Sequence, residues 1–384
     1  MMHTRFIPER TPRKSADIIL ICLIILLAGM GLGILFSASY HRASAVFSNP
    51  YYFIYRQCLW AACGAAGACV LSRVPLSFLN TMTPAFVVLS FVLMLLCFVP
   101  GLAPQIMGAR RWIVLFGYSL QPSEFAKLAL VLYLARMLYR KQERLGDFVN
   151  TFLPLVCVVG GLSVLTFAQN DFSTAVFLLF LGLCLFFIAN VKLLYVGGLA
   201  LAAAAGGVGL LMTKSHRLQR IMSFLHPGQD PSGADYQILA AKAALQKGGL
   251  WGTGIGQGTR KLGGLPEAHS DFIFAVLAEE VGFLGVAAVL ALFILFAYKG
   301  YTIARGCGEN RYGFYLAFGI TTCIFAQALM NMAVVADLVP ATGITLPFFS
   351  SGGSSLFVTF LLCGILVNLS RTGGTMEGAE KWRT

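Results

Sequence analysis

The stretch "SDFIFAVLAEEVGFLGVAAVLALFILFAYKG", residues 270–300, opens on an acid, passes two adjacent glutamates and stays apolar until Lys299. A helix crosses roughly 30 Å of hydrocarbon with about 20 mostly apolar residues, and this stretch supplies them. Its continuous apolarity lacks the period-2 alternation of a barrel strand. Similar runs recur near 17–38, 51–72, 82–100, 122–139, 152–168, 172–189, 193–212, 312–336 and 353–370. Hydrophobic residues make up 58% of the chain and charged residues 11%, against about 25% charged in a soluble domain. So little charge cannot cover a water-facing surface. The expected fold is an all-α polytopic membrane protein of about ten transmembrane helices, with one large extracellular loop between helices 7 and 8.

"MMHTRFIPERTPRK" and the run after it also have the form of a signal peptide, with "SAS" at 37–39 as cleavage site. The run is too long for a signal core, and more spans follow. Orientation comes from Lys and Arg. With the N-terminus inside, one side holds Arg5, Arg10, Arg13, Lys14, Arg73, Arg140, Lys141, Arg144, Lys192, Lys299, Arg305, Arg311, Arg371, Lys381 and Arg383. The short loops opposite hold little beyond Arg42, Arg110 and Arg111. This predicts a cytoplasmic tail over 1–16, a membrane domain over 17–370 with the extracellular loop at 213–270, and a cytoplasmic tail over 371–384. The net charge of +12 reflects this topology and attraction to anionic membrane lipids, not nucleic-acid binding. The ten cysteines form neither a disulfide framework nor a zinc spacing, and are expected as small core residues.

Polar residues at membrane depth or at its edge carry the functional signal, because each is costly to insert. Four clusters stand out. In "GARRWIVLFGYSLQPSEFAKL", 108–128, Pro122 suits a first helical turn, which puts Glu124 and Lys127 on one face. They are either a structural ion pair or the lining of a cavity for a polar headgroup. Arg110 and Arg111 beside Trp112 are either interface anchors or forks for phosphate oxygens. In the long loop, 235–247 reads as an amphipathic helix on the membrane surface. The glycine run 248–258 after it has no P-loop Lys-Ser/Thr. It is either a flexible linker or a tight loop whose backbone N–H groups, with Arg260 and Lys261, bind an anion.

The third cluster is Glu267, His269 and Asp271. Asp271 is expected to cap the helix that follows, and a reactive carboxylate is compatible with a cap. Glu279 and Glu280 lie deeper and read as partners for other helices. In the fourth, Pro340, Gly343, Pro347, Gly352 and Gly353 forbid one continuous helix, and irregular backbone at membrane depth needs protein or a wet cavity around it.

Together these clusters resemble the SEDS family, the membrane glycosyltransferases of bacterial shape, elongation, division and sporulation. The similarity runs from about residue 16 to 370, through "GARRWI", "LQPSEFAKL", "QNDFSTA", residues 236–285 and "ATGITLPFFSSGGSSL". "PEAHSDFIF" and "TGITLPF" are closer to division-type than to elongation-type members, while Ser351 stands where the family commonly has Tyr. The resemblance implies a ten-helix fold in the bacterial inner membrane. It implies polymerisation of lipid II into glycan strands at the septum, with a class B penicillin-binding protein transpeptidase and other cell-division proteins as partners. Asp271 matches the essential acid, and Trp112, Glu124 and Lys127 match other functional positions.

The reaction requires a general base at the attacking hydroxyl and positive charge at the leaving pyrophosphate. Asp271 is the expected base. Arg110, Arg111, Lys127, Arg260 and Lys261 are candidate substrate ligands, with Trp112 beside them, Glu124 orienting Lys127, and Glu267 and His269 as supports. A divalent cation, magnesium or manganese, is a candidate aid, although no all-protein cage is visible. Elongation-type polymerisation and lipid II flipping by a transporter are the alternatives, with a non-catalytic scaffold as a third class. The gathering of polar groups at one face favours the enzyme over a transporter, which needs a polar path through the full depth.

Overall fold

A computed structural model describes residues 15–105, 108–115, 117–211, 222, 224, 234–262 and 264–373. Most of the two expected tails, and part of the expected loop at 213–270, lie outside them. The helices are α1 Ile18–Phe47, α2 Tyr52–Leu71, α3 Leu76–Leu96, α4 Pro122–Arg140, α5 Leu153–Ala168, α6 Phe172–Ile188, α7 Leu193–Leu211, α8 Ala234–Gly248, α9 Ile273–Gly306, α10 Arg311–Val335 and α11 Gly353–Thr372. Among the described residues seven helical segments are long and apolar enough to cross a membrane, α5 only together with the π-helical turn Phe148–Phe152 that leads into it, and α6 and α7 are shorter apolar helices. With α4, whose charges at Glu124, Lys127, Arg136 and Arg140 lower its apolarity, they form the polytopic helical bundle expected from the sequence.

Local chemistry sets many of the helix starts. The side chain of Asp17 accepts from Leu20 N, that of Asp171 from Thr174 N, and that of Asn310 from Gly313 N, satisfying amides that have no helical partner. Pro122 occupies the first turn of α4. At one end of the bundle, Asp17 N donates to Ser370 Oγ and Lys299 Nζ pairs with Asp17 Oδ2 at 3.1 Å. The start of α1 and the end of α11 therefore lie at the same end, away from the start of α9.

Two boundaries differ from the sequence reading. Helix α1 continues nine residues past 38, and α3 begins at Leu76 rather than 82. In α3, Asn80 and Thr83 look loop-like in sequence, yet both are buried and Thr83 Oγ1 bonds Leu79 O within the helix. A two-stranded hairpin, Ile113–Leu115 against Tyr118–Leu120, was not expected. The cysteines also differ: Cys22, Cys58, Cys63, Cys69 and Cys157 are exposed on the outside of the bundle, and only Cys97, Cys307, Cys323 and Cys363 are buried.

The largest departure lies inside α9. At Gly282 the backbone has φ 66° and ψ −170°, which breaks the helix. The freed groups are taken up by the glycine run. Thr253 N and Gly254 N donate to Glu279 O and Glu280 O at 3.0 Å each, while Phe283 N and Leu284 N donate to Gly249 O and Leu250 O at 2.9 and 3.2 Å. A Cβ on Gly252 would collide with Glu280 O, and one on Gly282 with Gly252 N. Residues 248–258 are therefore neither a linker nor a free anion loop. They are a plug in a broken helix.

The anion that the loop's backbone binds is internal. Glu279 accepts from Thr259 N at 2.9 Å and Arg260 N at 3.2 Å, and its carboxylate lies 3.3 Å from Lys247 Nζ. Glu280 pairs with Lys261 Nζ at 2.6 Å, and that ammonium also donates to Ser37 Oγ and Gly256 O. Both glutamates are fully buried. Helix α8 packs against α9 and the end of α10 rather than lying free: Ile238 meets Val334 and Ala341, and Lys242 pairs with Asp337.

Two outcomes follow for purified protein. Gly282→Ala, forced into a left-handed conformation against Gly252 N, should cost about 1–3 kcal/mol and lower the melting temperature. Gly29→Ala, where an added Cβ meets nothing within 4 Å, should not. Lys261→Met leaves a buried unpaired Glu280 and should cost about 3–5 kcal/mol, with much of the loss recovered in the Lys261→Met/Glu280→Gln pair.

Candidate active site

Before α9 the chain makes a tight turn. Glu267 adopts φ 52°, and Ser270 N and Phe272 N both donate to Glu267 O. Helix α9 starts at Ile273 with Phe272 at the N-cap position, so Asp271 stands one residue before the cap. The turn thus delivers Asp271 to the residue just before the N-cap position, which Phe272 occupies without a side-chain cap bond.

The turn is held from several sides. Ser350 Oγ donates to Ser270 O at 2.7 Å, Ser351 N donates to His269 O at 2.8 Å, and Asn331 Nδ2 donates to Asp271 O at 2.9 Å. His269 is buried, with its ring 4.6 Å from that of Phe53. Burial pushes its pKa down to about 4, with Arg42 adding to the drop and Glu267 opposing it. The imidazole is therefore neutral near pH 7 and supports the turn by packing. Glu267 pairs with Arg42 of α1 at 3.2 Å, across the rim.

Asp271 and Arg111 both lie beside Gly343. A Cβ built on Gly343 would lie 3.4 Å from Asp271 Oδ2 and 3.7 Å from Arg111 Nη1. Carboxylate and guanidinium thus both approach one backbone position, within van der Waals contact of an added Cβ. Arg111 lies over the Trp112 ring at 4.2 Å, and its Nη1 is 3.9 Å from Asp171 Oδ2. Asp171 also caps α6 and accepts from Gln121 Nε2 at 3.4 Å, while Asn170 Nδ2 bonds Gly108 O at 2.9 Å. Arg110 is exposed beside them.

Lys127 and Glu124 form the expected i,i+3 pair at 2.7 Å, but both are buried. The ammonium also donates to Gln327 Oε1 of α10 at 2.6 Å and faces the Phe177 ring at 5.7 Å. Gln327 in turn donates to Thr345 O at 3.0 Å. The pair stands behind the site wall and braces it. Lys261 is placed differently from the expectation, since Glu280 holds it in a buried cluster. Arg260, half-buried, gives its backbone N–H to Glu279. Of the expected cations, Arg111 is placed beside Gly343 with Asp271, and Arg110 is its exposed neighbour in sequence.

Asp171, Gln327 and Asn331 escaped the sequence reading. Asp171 sits in the quoted "QND" run at a span's start, and Gln327 and Asn331 are polar residues four apart inside an apolar span, a spacing that places them on one helix face. Among the described residues, no three His, Cys, Asp or Glu side chains converge as metal ligands.

With this geometry in hand, similarity to known proteins becomes informative. A probable peptidoglycan glycosyltransferase FtsW of Geobacter sp. (strain M18) is 39% identical over 93% of this chain and 97% of its own. Stage V sporulation protein E of Bacillus subtilis (strain 168) is 36% identical over 94% and 98%. Among solved structures, a chain from work on structural coordination of polymerization and crosslinking by a peptidoglycan synthase complex superposes with TM-score 0.75 at 26% identity, covering 96% of this chain and 99% of that one. The rod shape determining protein RodA of Thermus thermophilus superposes with TM-score 0.66 at 26% identity, over 93% and 97%. The sequence model of the FtsW/RodA/SpoVE cell cycle proteins matches residues 17–374, nearly the whole bundle built above. The chain belongs to that family.

Proposed function

We propose that this protein is a peptidoglycan glycosyltransferase that polymerises lipid II into glycan strands, with Asp271 as general base. The observation that carries this reading is the convergence of Asp271 and Arg111 on Gly343 at one end of the bundle. In the proposed reaction, the GlcNAc 4-hydroxyl of one lipid II attacks the anomeric carbon of MurNAc in another. The new O–C bond forms with inversion, the bond from that carbon to the pyrophosphate oxygen breaks, and the hydroxyl proton passes to an Asp271 oxygen. Undecaprenyl pyrophosphate leaves with its negative charge facing Arg110 and Arg111, whose planar guanidiniums suit forked contact with phosphate oxygens. No step is routed through a metal ion.

Septal synthesis is supported by likeness to the division-type FtsW proteins and to the sporulation protein. A transpeptidase partner is supported by the synthase complex whose chain shares this fold. In this reading the start of α9 faces the cell exterior, where the lipid II headgroup lies, and both chain ends face the cytoplasm.

Asp271→Asn should remove glycan synthesis from purified lipid II by at least ~10²-fold, the scale of a lost general base, while the protein still folds and keeps its partner. Polymerisation at the normal rate would overturn the assignment. Arg111→Ala should cost about 10²–10³ in turnover. Arg111→Lys, which keeps the charge but loses the fork, should recover only part of it. Polymer length on gels and initial rates read both.

A further inference from the structure

Asn331 is 1% exposed in the interior of α10, where a polar amide is costly and helix propensity gains nothing from it. Both of its amide hydrogens are used. Nδ2 donates to Asp271 O at 2.9 Å and to Ile344 O at 2.8 Å. One carboxamide therefore ties the turn that carries Asp271 to the coil that carries Gly343, the backbone position against which Asp271 Oδ2 and Arg111 Nη1 both lie. One helical turn earlier, Gln327 takes the Lys127 ammonium on its oxygen and gives its own N–H to Thr345 O, next to Ile344. Three pieces of the site wall thus reference their positions to one edge of α10.

We infer that Asn331 is a positioning residue for the reaction: it fixes the placement of Asp271 against the 343–345 coil without touching substrate. The inference rests on the polymerase reading of Asp271. Removing the carboxamide frees two carbonyls and lets turn and coil move independently. Asparagine fits the task because a single nitrogen carries two hydrogens at a fixed angle. Aspartate has the same shape with no donor, and it would place a carboxylate against two carbonyl oxygens.

The test uses the full chain in detergent with Asn331→Ala and the isosteric Asn331→Asp. Amide hydrogen exchange, without any lipid substrate, should rise together in residues 267–272 and 343–346. With lipid II, kcat should fall about a hundredfold, the cost of a misplaced catalytic group, while KM changes by less than about threefold. The cost of Asp271→Glu should be smaller in the Asn331→Ala background than in the wild type, because the two changes act through one placement. Thr321→Val, whose hydroxyl bonds only Ala317 O within α10, controls for general loss of helix packing and should show neither the paired exchange nor the coupling. Normal kcat in Asn331→Ala, exchange rising in only one segment, or independent effects of Asp271→Glu and Asn331→Ala would each overturn the inference. A wild type that makes no polymer would instead sink the polymerase reading, and the exchange result would still decide whether Asn331 holds the turn.

Discussion

The structure depends on one constraint: irregular backbone at membrane depth has to find hydrogen-bond partners in protein. This fold breaks its helical regularity twice near the candidate site, at Gly282 inside α9 and along the coil from α10 to α11. The first break is filled by residues 249–254, whose backbone groups replace the missing helical bonds. The second is held by side chains: Asn331, Gln327 and Gln57 donate to the carbonyls of Ile344, Thr345 and Ser350. A sheet edge would satisfy such groups repetitively. Here each bond is an individual solution, which ties the shape of the coil to named side chains on α2 and α10.

The same constraint sorts the charges. Glu279, Glu280 and Lys261 are buried and consumed by one another, by Lys247 and by backbone amides. Their work is to seat the glycine plug, and they form no continuous polar path. Glu124 and Lys127 are likewise closed upon themselves and Gln327. Asp271 and Arg111 stand instead beside the coil at Gly343, where the proposed reaction needs a base and a cation.

Much of this was legible in the sequence, for identifiable reasons. Spans announce themselves by continuous apolarity, and the expected break in 340–352 follows from its prolines and glycines. The pairing of Glu124 with Lys127 follows from helical spacing, because both partners lie on one element. What stayed hidden depends on long-range pairing. Nothing local marks Gly282 as a helix break, since only the arrival of Gly252 makes a Cβ impossible there. The anion for the 259–260 amides lies 19 and 20 residues away. Asp271 reads as a cap because acids before apolar helices usually are caps, whereas the turn from Glu267 places Phe272 at the N-cap position and Asp271 one residue before it.

The arrangement around Arg111 shows why an acid beside a cation need not cancel it. Asp171 Oδ2 lies 3.9 Å from Arg111 Nη1, beyond hydrogen-bond reach, and that carboxyl already serves Thr174 N and Gln121 Nε2. It therefore orients the guanidinium more than it occupies it, and stacking on Trp112 fixes the ring-facing side. A lysine placed there would sample many rotamers around the same charge. Beside that acid and that indole, Nη1 of the guanidinium also lies next to Gly343, the backbone position that Asp271 Oδ2 approaches as well. In the proposed reaction this matters because base and leaving-group cation must act on opposite ends of one displacement at once.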